Sequence, residues 1–489
     1  MNNVILLLPV LIPVLTGMLA ALIPFRSRIS LLVYVGVILA AEALLCAAVA
    51  ATGIGISTGT WQIAGGLGLV FSVDVLSAVF LVLFSAAWLL AGIFSFEYMQ
   101  HEHDEKQFFA FYLVVEGILC AIAMAGNLLT FYIFYEFMSI TSMPFVLHSR
   151  SHESIMAALK YLFYSMAGAL MVLFGFFVIS TTLSADSVAF SAGGIISTAQ
   201  TPLLLTAVFL MILGFGTKAG MFPMHAWLPA AHPVAPAPAS AVLSGVITKA
   251  GVLGVIRAVY YVAGADFIRG TWVQYVWVIL SLVTVFMGSL LAYKEKVLKK
   301  RLAYSTVSQV SYVMFGLSVL TPTAFVGALL HVIFHSLAKN TLFLSAGAII
   351  FKTGKTRVDE LKGIGKEMPV VMWCFTLASL SLIGIPPLCA FVSKWYLAVG
   401  ALDSGITVAS WLGPVILLIS ALLTAGYLLP ISIGGFLPGE DYDYSGLKKL
   451  EPTWQMLLPL VVMSVLSVLL GIWPTGLVNL LTHAAAAVL

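Results

Sequence analysis

Apolar runs long enough to cross a bilayer follow one another through almost the whole chain, and that succession decides the fold class. A helical span needs about 20 predominantly apolar residues. Breaking the sequence at charged and Pro/Gly-rich stretches gives segments at 3–24, 30–51, 72–96, 108–126, 128–148, 157–182, 203–222, 238–260, 272–293, 302–320, 324–351, 370–397, 408–431 and 454–477. The expectation is an all-α polytopic membrane protein of about fourteen transmembrane helices. Charge content agrees. Only 9% of the 489 residues are charged and 61% are hydrophobic, whereas a soluble domain carries about 25% charged residues. Lipid must be the solvent for most of the surface, and the expected setting is the cell membrane.

Several function classes drop out. The net charge of +3 comes without a basic run or aromatic–basic interleaving, so no nucleic-acid partner is expected. Cys46, Cys120, Cys374 and Cys389 all fall in apolar segments and lack CxxC or metal-ligand spacing. Neither a disulfide framework nor a metal or iron–sulfur site is expected, and no cofactor. Gly354-Lys355-Thr356 lacks the upstream glycine of a phosphate loop. Any redox catalysis is therefore assigned to partner subunits. The amino terminus is apolar from Val4 onward, without a basic n-region or small-residue cleavage site, and reads as a retained first helix.

Lysine and arginine set the orientation. Connections after odd-numbered segments hold the groups Arg26/Arg28, Lys106, Arg150, Lys294 to Arg301, Lys352 to Lys366, and Lys448/Lys449; connections after even-numbered ones hold essentially Arg269. The positive-inside rule puts the odd connections in the cytoplasm and both termini on the other side.

The remaining ionisable residues lie within spans, where each costs about 2.5–3.5 kcal/mol on the mildest scale. Lys160 near the start of its segment is explained equally by snorkelling. Glu42 and Asp74 are expected near span ends as helix-terminal or interfacial groups, and Arg257 near the outer end of its segment as an interfacial anchor. Glu116, Glu136, Lys218, Lys249, Lys339 and Lys394 are harder to dismiss, because the acids are too few to neutralise the lysines. A structural ion pair remains the plain alternative for Glu136 and Lys218. His331, His335 and Lys339 follow at i, i+4 and i+8, an advance of about 40° per step that places all three on one helix face. With Ser336 and Asn340 beside them they read as a proton relay. Metal binding by the two histidines lacks a third local ligand.

Two segments should be interrupted. Lys218 is followed by Gly220, Pro223 and a Pro-rich stretch to Pro238, and Gly384-Ile-Pro386-Pro387 precedes Lys394. Broken helices at membrane depth are tolerated where they line a hydrated cavity. Two of them, five helices apart and each with a lysine, predict inverted repeats. The expected division is 1–106 for the first three helices, 107–265 and 266–435 for two five-helix repeats, and 436–489 for one last helix.

These residues carry a family resemblance. Gly216-Thr-Lys218-Ala-Gly-Met-Phe-Pro-Met-His225-Ala-Trp-Leu-Pro229-Ala-Ala-His232-Pro, Ser240-Ala-Val-Leu-Ser-Gly-Val-Ile-Thr-Lys249, His335-Ser-Leu-Ala-Lys339-Asn, Gly384-Ile-Pro-Pro-Leu-Cys-Ala-Phe-Val-Ser-Lys394 and Phe134-Tyr-Glu136-Phe resemble the core signature of the antiporter-like subunits. That family is shared by respiratory complex I, membrane-bound hydrogenases and Mrp-type Na+/H+ antiporters. The resemblance implies that Glu136 and Lys218 form the charge pair of a first half-channel. It makes Lys249 the central lysine, His331, His335 and Lys339 the link, and Lys394 the outlet. Glu116, His225 and His232 are accessory candidates, the two histidines at the broken-helix loop. Ala230 and Val234 stand where the family often has acids. Length and pattern look most like the Mrp D-type subunit and its hydrogenase counterparts, without the long lateral helix of the largest complex I relative. The implied function is proton movement along the Glu/Lys/His axis, within a complex of several membrane subunits. The alternatives are a complex I pumping subunit, a Na+ path, or a passive scaffold.

Overall fold

The computed structural model describes residues 4–184, 187–197, 199–439, 442 and 447–489; residue 3, the expected start of the first segment, lies outside them. Leu8–Leu22 (α1) and Arg28–Thr52 (α2) lead to a small hairpin, β1 Trp61–Ala64 and β2 Leu67–Leu69. Then come α3 Val75–Tyr98, α4 Glu105–Ala123, α5 Leu128–Leu147, α6 His152–Leu183, α7 Pro202–Ala219, α8 Leu228–Val234 and the composite α9 Ala237–Ala263. The second half holds α10 Trp272–Lys294, α11 Leu298–Ser318, α12 Pro322–Thr353, α13 Pro369–Ile383, α14 Cys389–Leu402, α15 Val408–Phe436, α16 Trp454–Ile472 and α17 Thr475–Val488.

Among the described residues, eleven helices are long and apolar enough to cross a membrane. The expected spans at 128–148 and 302–320 are helical as α5 and α11 but are not among the eleven, and the one at 370–397 is divided into the shorter α13 and α14. α11 is the polar exception, with Ser305, Thr306, Ser308, Gln309 and Ser311 all buried. Sequence reading missed two things. The hairpin at 61–69 is short and glycine-rich. The tail at 436–489, expected to hold one helix, holds two, because Pro474 ends α16 and opens α17.

The breaks fall where proline and glycine dictate. α7 ends at Gly220 with φ +78°, and α13 at Gly384 with φ +94°, both left-handed positions that glycine adopts without strain. The chain resumes at Leu228 and Cys389.

Lipid tails are as apolar as leucine, so packing between spans relies on close backbone approach rather than on hydrophobic drive. α6 and α7 cross at Gly168 and Gly214, where a Cβ at residue 168 would lie 2.6 Å from the Gly214 carbonyl oxygen. α12 is the hub: it packs against α3, α9, α11, α13, α14, α16 and α17, so its side chains face protein on nearly all sides.

Candidate functional site

α9 shows how a buried lysine is housed. It is not a uniform α-helix: Leu243–Ile247 and Arg257–Ala263 are π-helical. Widening the turn frees carbonyls from the regular ladder. The Ser244 carbonyl accepts from the Thr248 hydroxyl at 2.7 Å and from Lys249 Nζ at 2.6 Å. Lys249 Nζ also donates to Thr248 Oγ1 at 3.2 Å and hydrogen-bonds His335 Nδ1 at 2.6 Å, across to α12. A protonated Lys249 donating in that contact would place the proton of a neutral His335 on Nε2. Lys249 and His335 are both inaccessible to solvent.

From His335 the row continues along α12. The His331 ring lies 6.0 Å away, centroid to centroid, as one helical turn requires. His331 is held by Ser393 Oγ of α14 at 2.9 Å and Gln309 Oε1 of α11 at 3.2 Å, and it stacks on Tyr312. Lys394 Nζ stands 4.9 Å from the centre of the same Tyr312 ring. Lys394 Nζ also donates to the Leu382 and Ile383 carbonyls at 2.5 and 3.1 Å. These are the exposed acceptors at the end of α13, where the helix dipole is negative. Lys339, two turns beyond His331 on α12, is fully buried and donates to the Leu302 carbonyl at 3.0 Å.

Lys218 occupies the last turn of α7, with the same dipole logic. Its Nζ donates to Tyr161 Oη at 2.5 Å and Ser165 Oγ at 2.8 Å, both on α6, and Tyr161 Oη lies 2.6 Å from Ser142 Oγ on α5. The ammonium also faces the Tyr161 ring at 3.9 Å and the Trp227 ring at 5.7 Å. Cation–π contact and hydroxyls thus replace the carboxylate that the sequence led us to expect.

The implied Glu136–Lys218 pair is not a contact pair. Glu136 is half-buried, its Oε1 has no hydrogen-bond partner, and Lys218 is held by neutral oxygens. Among the described residues none of Lys218, Lys249, Lys339 and Lys394 has a carboxylate within 4 Å. His232 is fully buried, stacked on Phe343, with both ring nitrogens unpartnered; His225 sits in the break and stacks on Phe222. Glu116 does not join the row. It lies beside Glu42, Cys46 and Cys120 between α2 and α4. Glu42 is not terminal either: it is buried inside α2. Asp74 does cap α3, accepting from Ser77 N at 2.7 Å, and it grips Arg257 at 2.5 and 3.0 Å, so that arginine is a buried partner rather than an anchor. Lys160 is exposed, consistent with snorkelling.

Residues 125–424 match the family described as NADH:quinone oxidoreductase/Mrp antiporter, TM. The chain belongs to that family. Residues 61–109 also match NADH-Ubiquinone oxidoreductase (complex I), chain 5 N-terminus. A relative in Desulforudis audaxviator, NADH-quinone oxidoreductase subunit N, is 32% identical over 86% of this chain and 84% of its own length. The D-type subunit of the Na(+)/H(+) antiporter from Alkalihalophilus pseudofirmus is 28% identical over 96% of this chain and 94% of its own. The fold matches a chain of the Mrp complex from Dietzia sp. DQ12-45-1b with a TM-score of 0.85 at 23% identity, covering 99% of this chain and 97% of that one. It matches a chain of respiratory complex I from Thermus thermophilus at 0.84 and 21%, covering 99% of both. Within this family the chain is an antiporter-like subunit with a multi-pass membrane fold.

Sequence reasoning missed the neutral members of the axis: Tyr161, Ser165, Ser244, Thr248, Gln309, Tyr312 and Ser393. For Gln309 and Tyr312 the available signal was the run of hydroxyls and one amide from Tyr304 to Ser318, which a lipid-facing helix would not carry.

Proposed function

We propose that this chain carries protons along Glu136, Lys218, Lys249, His335, His331 and Lys394, with Lys339 as a side member, as the ion-translocating subunit of a multisubunit membrane complex. The observation that supports this best is the 2.6 Å Lys249–His335 contact. A protonated lysine there donates to a neutral imidazole, and the proton needs to move only within that bond to yield a neutral lysine and an imidazolium. The unpaired state of the four lysines is the second support. A buried cation without a counter-ion is costly to maintain, and an approaching carboxylate offsets that cost. Glu136, close to Lys218 but not bonded to it, is suited to act as that movable carboxylate. The row is mainly nitrogen, whereas hard cations such as Na+ prefer oxygen ligands.

The same reading makes helices α4 to α9 and α10 to α15 two inverted repeats, with the lysine-rich connections in the cytoplasm and the cell membrane as the location. The relatives' names support partners among antiporter, quinone-reducing or hydrogenase-type membrane subunits. Proton flux in vesicles from cells expressing the whole complex tests the proposal. Lys218→Ala abolishes flux while the chain stays assembled, and flux is unchanged when Na+ is varied at fixed pH. Normal flux in Lys218→Ala refutes the path; strict dependence on Na+ favours a sodium route. Co-purified partners identify the machine.

A further inference from the structure

A second buried polar cluster lies away from the axis, between α2 and α4. Glu42 and Cys46 stand one turn apart on α2; Glu116 and Cys120 stand one turn apart on α4. Two Glu-x-x-x-Cys faces therefore meet. This is why linear cysteine spacing did not reveal a ligand set: each helix supplies half, 74 residues apart between the two sulfurs. Cys46 Sγ lies 3.6 Å from Cys120 Sγ, and Glu42 Oε1 lies 3.3 Å from the first and 3.6 Å from the second. One donor atom each from Glu42, Cys46 and Cys120 fall within 4.8 Å of one another. Glu116, one turn before Cys120 on α4, lies outside that three-donor set.

All four side chains are buried, Glu42 at 0% and Glu116 at 2% exposure. Glu42 Oε2 and both Glu116 oxygens have no hydrogen-bond partner, and neither carboxyl group forms an ion pair among the described residues. Two carboxyl groups left this way in the interior are expensive whether charged or neutral. A cation among them satisfies the free oxygens.

We propose that Glu42, Cys46 and Cys120, with Glu116 nearby on α4, form a structural site for a zinc-type divalent cation that ties α2 to α4. Tetrahedral zinc has Zn–S near 2.3 Å and Zn–O near 2.1 Å, which places ligand sulfurs about 3.8 Å apart and sulfur and oxygen about 3.6 Å apart. The separations observed here, 3.6 Å between sulfurs and 3.3 and 3.6 Å from sulfur to oxygen, are already close to that cage. On binding, each thiol releases its proton to water as its sulfur bonds the metal. The two thiolates balance the ion's charge, and the carboxyl oxygens of Glu42 supply further lone pairs. A Cys46–Cys120 disulfide is the competing state; it would draw the sulfurs to about 2.0 Å and leave both carboxyl groups unpartnered.

The test uses the full chain purified from native membranes without chelator. Elemental analysis should find about one zinc per chain, and exchange with Co2+ alone should give a near-ultraviolet thiolate-to-cobalt band. Cys46→Ser/Cys120→Ser should lose both. In the unmutated chain, alkylation of Cys46 and Cys120 should proceed only after chelation, a readout that needs no variant to fold. The proposal is overturned if the native chain holds no zinc and gives no cobalt band. It is overturned equally if the double variant retains as much metal as the parent, or if the two cysteines are recovered as a disulfide.

Discussion

Replacing His335 by asparagine separates the chemistry of the axis from its packing. The asparagine side-chain oxygen can accept from Lys249 roughly where Nδ1 now does, at 2.6 Å, so the central lysine keeps its partner and α9 stays docked on α12. What the variant lacks is a group able to take up a proton. The next titratable member, His331, is a further 6.0 Å away between ring centres. Proton transfer between positioned groups needs a separation of about 2.6–3.2 Å or one intervening water, and a positioned acid–base group contributes typically ~10²–10⁴-fold in rate. Flux should therefore fall about 100-fold, equivalent to about 2.7 kcal/mol in the barrier. The assay is dye-reported proton flux in membrane vesicles, normalised to the amount of chain present. His335→Leu, which also removes one of the three hydrogen-bond partners of Lys249, should lose the flux and in addition about 1.5–3 kcal/mol of stability. Flux in His335→Asn within a factor of about two of the parent would refute the assignment of His335 as a proton carrier.

Three further outcomes follow from the same geometry. Tyr161→Phe removes the acceptor 2.5 Å from Lys218 Nζ; thermal unfolding in detergent should register about 1.5–3 kcal/mol lost, and an unchanged midpoint contradicts the bond. Gly168→Val drives a side chain into the Gly214 carbonyl and should cost about 1–3 kcal/mol by the same measurement; a stable variant would mean that α6 and α7 do not cross there. Asp74, the cap just outside α3, supplies a pH dependence. Burial alone would raise its carboxyl, but the Arg257 guanidinium and the Ser77 donors outweigh it and hold the group well below its ordinary 3.8. A depressed folded value means that the pair's stabilisation is complete above that ordinary value and is lost as pH falls below it. Wild-type thermal stability should drop on acidification below about pH 4 more than that of Asp74→Asn; parallel curves would remove the pair from the account.

Much of this architecture was legible from physics acting on single segments. Hydrophobic length located the helices to within a few residues, and Gly220/Pro223 and Gly384/Pro386/Pro387 located the breaks, because a proline cannot stay in a helix interior without losing a bond. Lys218, Lys249, His331, His335, Lys339 and Lys394 stood out because charge in lipid demands a reason. What stayed hidden was pairing between segments. Glu136 and Lys218 were matched by sign, yet Lys218 is satisfied by Tyr161 and Ser165, neutral residues that give no charge signal. Glu42 looked peripheral because half of its environment, Cys120, comes from α4 and only Cys46 from its own helix. The π-turn at Leu243–Ile247 holds Gly245 but no proline, too weak a signal on its own to announce it.

The central claim is that Lys249, with its bond to His335, is an obligatory station for the moving proton. Its most direct test is flux in Lys249→Met, which keeps the volume and flexibility of the side chain and removes its proton. The account predicts flux at background with the chain present and assembled at parental levels. Flux equal to the parent's would contradict it and leave the buried row a structural feature.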